Sequence, residues 1–286
     1  MKSLGTSTPQ PLTSYARIMA LVVVALVFLA GVQLYILAEQ TDRYFAWTIT
    51  APVTAAFLGG GYWSALVAIL YGLRQKNWVN VRSTLPTAFT ATTLLLIATL
   101  LHIDKFHLTS PIFITWLAAW IWIVVYIVVP PTLLVVFILQ SRTPGTNPPR
   151  QHNLPHWISV ALTSQAVLAI LVGFALFLAP QTTMGLWPWQ LTPLTARAIG
   201  SWMCAVGATG AIIAWEDDLS RVAASLAGFG AFGIFQFISL FRYQEGIDWR
   251  TSSSFLYVLL LLSISIVSAA GLWMERRRAR MPSIAA

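Results

Sequence analysis

Eight times along the chain a run of about 20 residues passes with almost no charge, and these oil-length segments limit what the polypeptide can become. The runs fall near 17–38, 51–73, 84–102, 112–139, 157–179, 194–215, 221–241 and 254–274. At about 1.5 Å per residue, each can cross the roughly 30 Å of bilayer hydrocarbon as a helix. No water meets an unpaired peptide group there, so such segments must close their hydrogen bonds internally. The expectation is an all-α fold, a polytopic transmembrane helix bundle of about eight spans whose first partner is the lipid bilayer. A soluble protein with a large core is excluded by charge. Asp, Glu, Lys and Arg make up 9% of the 286 residues, against roughly 25% in a soluble domain.

Local features refine this outline. Ile18 to Ala38 is longer than the about 7–15 residues of a signal h-region and is read as a retained span. Pro130-Pro131 should kink the fourth span or end it early. Gly59-Gly60-Gly61 leaves room for a neighbouring backbone to approach the second span, or for that helix to unwind around a ligand. Cys204, the one cysteine, falls inside a span and can form no intrachain disulfide.

Basic residues near span ends resist translocation, so their distribution predicts orientation. With the N-terminus cytoplasmic, twelve of the 17 Lys and Arg lie inside: Lys2, Arg17, Arg74, Lys76, Arg82, Arg142, Arg150, Arg221, Arg276, Arg277, Arg278 and Arg280. Arg43, Lys105, Arg197, Arg242 and Arg250 lie outside. Both termini are therefore expected on the cytoplasmic side, and the short loops and lack of targeting features point to a prokaryotic cell membrane. The net charge of +8 is scattered among loops rather than gathered on one soluble face, so no nucleic-acid partner is expected. The arginines after the last span should hold it at anionic lipid.

Residues 140–156 are rich in Pro, Gly and Asn and read as a cytoplasmic linker between two units, 1–139 and 157–286, the second ending in the basic tail. The units look like copies. At an offset of 141 residues, Leu37-Ala38-Glu39-Gln40-Thr41 meets Leu178-Ala179-Pro180-Gln181-Thr182. At the same offset Pro52, Thr54 and Gly59 meet Pro193, Thr195 and Gly200. A tandem 4+4 repeat follows, and with an even number of spans per unit its pseudo-two-fold axis runs along the membrane normal. The shared motif is a helix start: Thr50 or Thr192 can cap it, and Pro52 or Pro193 is tolerated in a first turn that lacks an acceptor. Trp47, Trp187 and Trp189 fit an aromatic belt at the headgroups.

Chemistry-bearing residues gather on the external side. Glu39 and Asp42 end the first span, and His102, Asp104 and His107 end the third. Imidazole with carboxylate can bind divalent ions or move protons, but the spacing matches no ligand pattern and no metal or cofactor is assigned; a solvated loop is the other reading. Arg197 lies one turn inside the sixth span, where a charge must snorkel or find a partner such as Asp42, Glu39 or Asp248. On the opposite side Arg74, Lys76 and Arg82 could pair with Glu216, Asp217 and Asp218 across the two units.

No nucleotide-binding or His-Glu-x-x-His pattern occurs, which argues against energy-coupled pumping within this chain. Intramembrane polar residues such as Gln33, Thr92, Thr93, Thr99, Gln165 and Gln236 serve as interhelical glue. Three readings stay open. One is a carrier of a small molecule or lipid with its site between the units. Another is a membrane enzyme at the outer cluster, and the last is a non-catalytic subunit or scaffold.

Overall fold

The computed structural model describes residues 8–280, so Lys2 and the last six residues lie outside the described residues. Eight long helices appear where the eight runs predict them: α1 (Ser14–Gly31), α2 (Pro52–Leu73), α3 (Leu85–Leu101), α4 (Phe113–Ser141), α5 (His156–Leu178), α6 (Pro193–Glu216), α7 (Leu219–Arg242) and α8 (Ser252–Arg280). Each is long and apolar enough to cross a bilayer, which makes the chain a multi-pass membrane protein in a lipid environment. Among the described residues there is no strand, only isolated bridges between loops.

The helices are arranged by how small their side chains are. α2, α6 and α7 are the most buried and carry ten of the 17 glycines, whereas α1 is buried over only 17% of its apolar stretch. The most extensive pairings are α5 with α6, α2 with α7, α7 with α8, α3 with α6, and α1 with α2. Small residues bring backbones together where no hydrophobic force drives helices to associate. A Cβ on Gly200 of α6 would stand 2.7 Å from the Gly173 carbonyl oxygen of α5. One on Gly59 of α2 would stand 2.5 Å from the Tyr35 amide nitrogen. The triple glycine of α2 therefore stays helical and admits its neighbour.

That neighbour is the unusual segment. After Gly31, α1 continues as a π-helical turn over Val32–Ile36, the part that lies on Gly59. Such turns leave carbonyls poorly served. Here Arg242, at the end of α7, donates to the Tyr35 and Ile36 carbonyls at 2.8 and 3.4 Å, and the Tyr35 hydroxyl donates to Phe235 O at 2.9 Å.

Three sequence expectations change. α4 runs unbroken through Pro130-Pro131 to Ser141, and the Thr132 hydroxyl donates to the Val128 carbonyl there. Trp47, Trp187 and Trp189 are buried among Phe45, Phe57, Phe106, Trp122 and Tyr257 rather than set at lipid headgroups. Of the two predicted caps, Thr192 closes a capping box with Thr195, while α2 starts on Ala51 without a side-chain cap. Thr54 instead accepts a hydrogen bond from Trp189 Nε1 at 2.8 Å, tying the start of α2 to the loop before α6.

Both ends of the described residues lie on one side of the bundle, here the terminal face. Gln10, Thr13 and Gln140 interlock there: the Gln140 amide oxygen accepts from Thr13 and its nitrogen donates to Pro11 O at 2.7 Å. Arg17 donates to Leu73 O and Gln75 O at 2.8 and 2.7 Å, serving the open C-terminus of α2.

Gly200→Ala should lower the thermal unfolding midpoint in detergent, a loss of about 1–3 kcal/mol from overpacking. Gly185→Ala has open space around it and should leave the midpoint in place. Equal behaviour of the two variants would remove the close α5–α6 crossing from this account.

Candidate functional site

The predicted outer-face residues lie on the far face, opposite the termini, and settle into separate local contacts. Glu39 lies 3.5 Å from Arg242, Asp42 3.9 Å from Arg43, and Asp104 3.0 Å from Lys105. His107 bonds Thr48 at 3.0 Å and the Phe45 carbonyl at 3.1 Å, fastening the loop after α3 to the loop before α2. Among the described residues no three of His, Cys, Asp and Glu converge as metal ligands.

Arg197 finds a different partner from the carboxylates expected of it. Its Nη1 lies 2.7 Å from His102 Nε2, joining α6 to the end of α3. The guanidinium is always protonated, so Nε2 must accept and His102 must be neutral with its hydrogen on Nδ1. Burial first, and Arg197 second, hold the His102 pKa below its ordinary value. The other members of the repeated helix-start motif, Pro52, Thr54, Gly59, Pro193, Thr195 and Gly200, serve helix starts and crossings as described above.

On the terminal face the expected charge pairing forms around one residue. Glu216, fully buried, receives Arg82 through two bonds of 2.5 and 2.9 Å and Arg221 at 3.3 Å. Arg221 also donates to Pro148 O at 2.5 Å. The neighbouring acids take the linker instead. Asp217, in the left-handed region at φ 43°, accepts from Asn153 and the Leu154 amide. Asp218 caps α7 and accepts the Gln151 and His152 amides. Burial alone would raise its pKa, but these backbone donors outweigh it and hold the carboxyl below the usual range. Residues 148–154 are thus bound to the bundle.

Beside this junction lies a cavity, ≈ 230 Å³, running from the terminal face into the bundle. Its walls are Met19 and Val23 of α1, Ala65 and Ala68 of α2, Ala88 and Ala91 of α3, Val129 and Leu133 of α4, Ala205 of α6, and Phe229 and Phe232 of α7. The alanines of α2 and α3 leave the space unfilled. No charged residue is among its lining. Several of its polar groups are hydroxyls that bond within the protein: Thr87 with Thr209 at 2.7 Å, and Ser225 to Ser83 at 2.9 Å. The deep end is closed by Tyr62, Tyr126 and Trp202. α1 and α4, which flank the cavity on the lipid side, touch each other only sparsely.

The lining residues went unnoticed in the sequence because alanine, threonine and tyrosine in apolar runs carry no motif. No family model, curated protein or solved structure matches the chain.

Two outcomes test these contacts. Arg82→Gln should cost about 3–5 kcal/mol, because it leaves the Glu216 carboxylate buried with one partner fewer, and Arg82→Gln with Glu216→Gln should recover part of that loss. Strict additivity of the two changes in denaturation experiments would dissolve the coupling. The depressed His102 pKa means the native state favours neutral imidazole. Its contribution is full above the unfolded value near ~6.5 and is lost as pH falls through the lower folded value. Unfolding midpoints followed from neutral to mildly acidic pH should show an acid-side decline that His102→Gln reduces; parallel curves would dismiss it.

Proposed function

We propose that this protein is a carrier of an uncharged, lipid-like small molecule, taken from the bilayer into the cavity among α1–α4, α6 and α7. The observation that carries the reading is an apolar cavity of ≈ 230 Å³ with no charged lining, larger than the ~150 Å³ at which a dry apolar cavity already binds benzene. A lining without acid or base suits passive handling rather than ion-driven uptake. Entry between α1 and α4 is favoured by their sparse contact.

The carrier reading goes with a duplicated 4+4 architecture, residues 1–139 and 157–286 joined by 140–156. Exchanging α1–α4 with α5–α8 maps the main pairings onto one another: α1 with α2 onto α5 with α6, α3 with α4 onto α7 with α8, and α2 with α7 onto α6 with α3. Gly59 and Gly200 meet the first helix of their own units at matching places. In this arrangement the terminal face is cytoplasmic, in a prokaryotic cell membrane, and Glu39, His102 and His107 act as fasteners of helix ends, while Asp42 and Asp104 pair only with the neighbouring Arg43 and Lys105. Their dispersal into separate pairs favours that role over an outer-face catalytic site.

Binding of a fluorescent acyl-chain probe to the purified protein tests the reading. Ala88→Trp should fill the space and weaken binding by about tenfold or more, ~1.4 kcal/mol. If a folded Ala88→Trp protein bound the probe as tightly as the parent, the cavity would not be the site.

A further inference from the structure

The deep end of the cavity holds hydrogen-bond donors that the protein does not use. The Tyr62 and Tyr126 hydroxyls bond each other, on side chains that are buried and line the cavity. One such bond spends one of the two hydroxyl hydrogens. Among the described residues no group accepts the second.

Trp202 supplies another. It is 6% exposed and stands edge-on to Tyr62, with ring centroids 5.1 Å apart and planes at 82°. Its indole N–H has no partner among the described residues. Trp122 nearby shows the ordinary solution: its N–H donates to the Thr99 hydroxyl at 2.9 Å, which donates on to Leu95 O at 2.7 Å. Trp47 and Trp187 also carry unpartnered N–H groups, but neither lines the cavity.

A buried donor without an acceptor is unfavourable, and more so in apolar surroundings. The nearby hydroxyls do not relieve it: Ser64 and Thr87 could each still accept, but neither lies in hydrogen-bonding position to Trp202 Nε1. A ligand at this end relieves it only by bringing an acceptor, toward which the Trp202 N–H, covered in this structure, must turn. A carboxylate or phosphate would enter a lining without a cation. An alcohol would bring a further donor, and a plain hydrocarbon would leave both groups unmet.

We infer that the end formed by Tyr62, Tyr126 and Trp202 receives the carbonyl oxygen of an uncharged amphiphile, a ketone, quinone or ester whose hydrocarbon part lies along the alanine-lined remainder. The inference rests on the cavity reading above and names its substrate class. Trp202 owes its place to an asymmetry between the units, since the residue at the matching position is Gly61, against which its ring packs.

Three competitors decide it, each displacing the fluorescent acyl-chain probe from the purified protein: a long-chain ketone, the methyl ester of the matching fatty acid, and the hydrocarbon of the same length. Ketone or ester should displace the probe about three- to tenfold more effectively than the hydrocarbon, the range one added hydrogen bond gives. Trp202→Phe, and Tyr62→Phe together with Tyr126→Phe, should each shrink that preference toward the hydrocarbon's level, with the unfolding midpoint of each variant reporting an intact fold. A ketone ahead of the ester points to a free carbonyl compound, and the reverse points to a lipid ester; both support the inference. Equal displacement by all three in the parent protein, a comparison that needs no variant to fold, would overturn it and leave the cavity reading standing. So would a preference that survives in both variants. If none of the three displaced the probe, the cavity reading would fall and this inference with it.

Discussion

Lipid tails are as apolar as leucine, so nothing squeezes these helices together the way water compacts a soluble core. Adhesion must come from atoms in close contact and from polar groups with no better partner. The chain meets this with glycine and alanine at the centre: Gly200 of α6 lies on Gly173 of α5, and Gly59 of α2 on the end of α1. Gln236 then bridges three helices, donating to Phe57 O at 3.0 Å and accepting from Tyr257 at 3.2 Å. Charge is kept to the ends, where Glu216 gathers Arg82 and Arg221 and Arg242 serves the π-turn of α1.

The same small residues have opposite effects in two places. Where they face another backbone, as along α5 and α6, they close the gap. On the terminal-face half of α2 and α3, Ala65, Ala68, Ala88 and Ala91 line the same empty space, and the gap stays open. Filling it from within would require large side chains at these positions.

The architecture was readable from length and polarity alone, because the bilayer imposes one element type and one length on each apolar run. Chemistry at the helix ends was readable only in part. Arg82 with Glu216 follows from opposite charges in matching loops, whereas Arg197 with His102 does not, since neutral imidazole is a poor guess for the partner of a cation. Trp47 and Trp189 resemble belt residues by position, but a loop that folds inward buries them at 2% and 4% exposure. The helix of α4 continues through Pro130-Pro131, where the two missing amide hydrogens leave the Tyr126 and Ile127 carbonyls without their usual donors. The cavity had no sequence signal, because a void is a property of which alanines line one space, and a single sequence does not register that.

How a ligand would enter follows from where α1 is held. Its terminal end is fixed by Thr13 on Gln140 and by Arg17 on the last carbonyls of α2. Its far end is fixed by Arg242 and by the crossing at Gly59. Between these pins Met19, Val23 and Val27 border the cavity, and α4 beyond it offers α1 little contact. A helix fastened at both ends and unsupported on one side bends most easily in its middle, at little cost in hydrogen bonds. On the carrier reading, the route from lipid runs past that middle, and the charged fasteners at either end keep the opening from becoming separation of the helix.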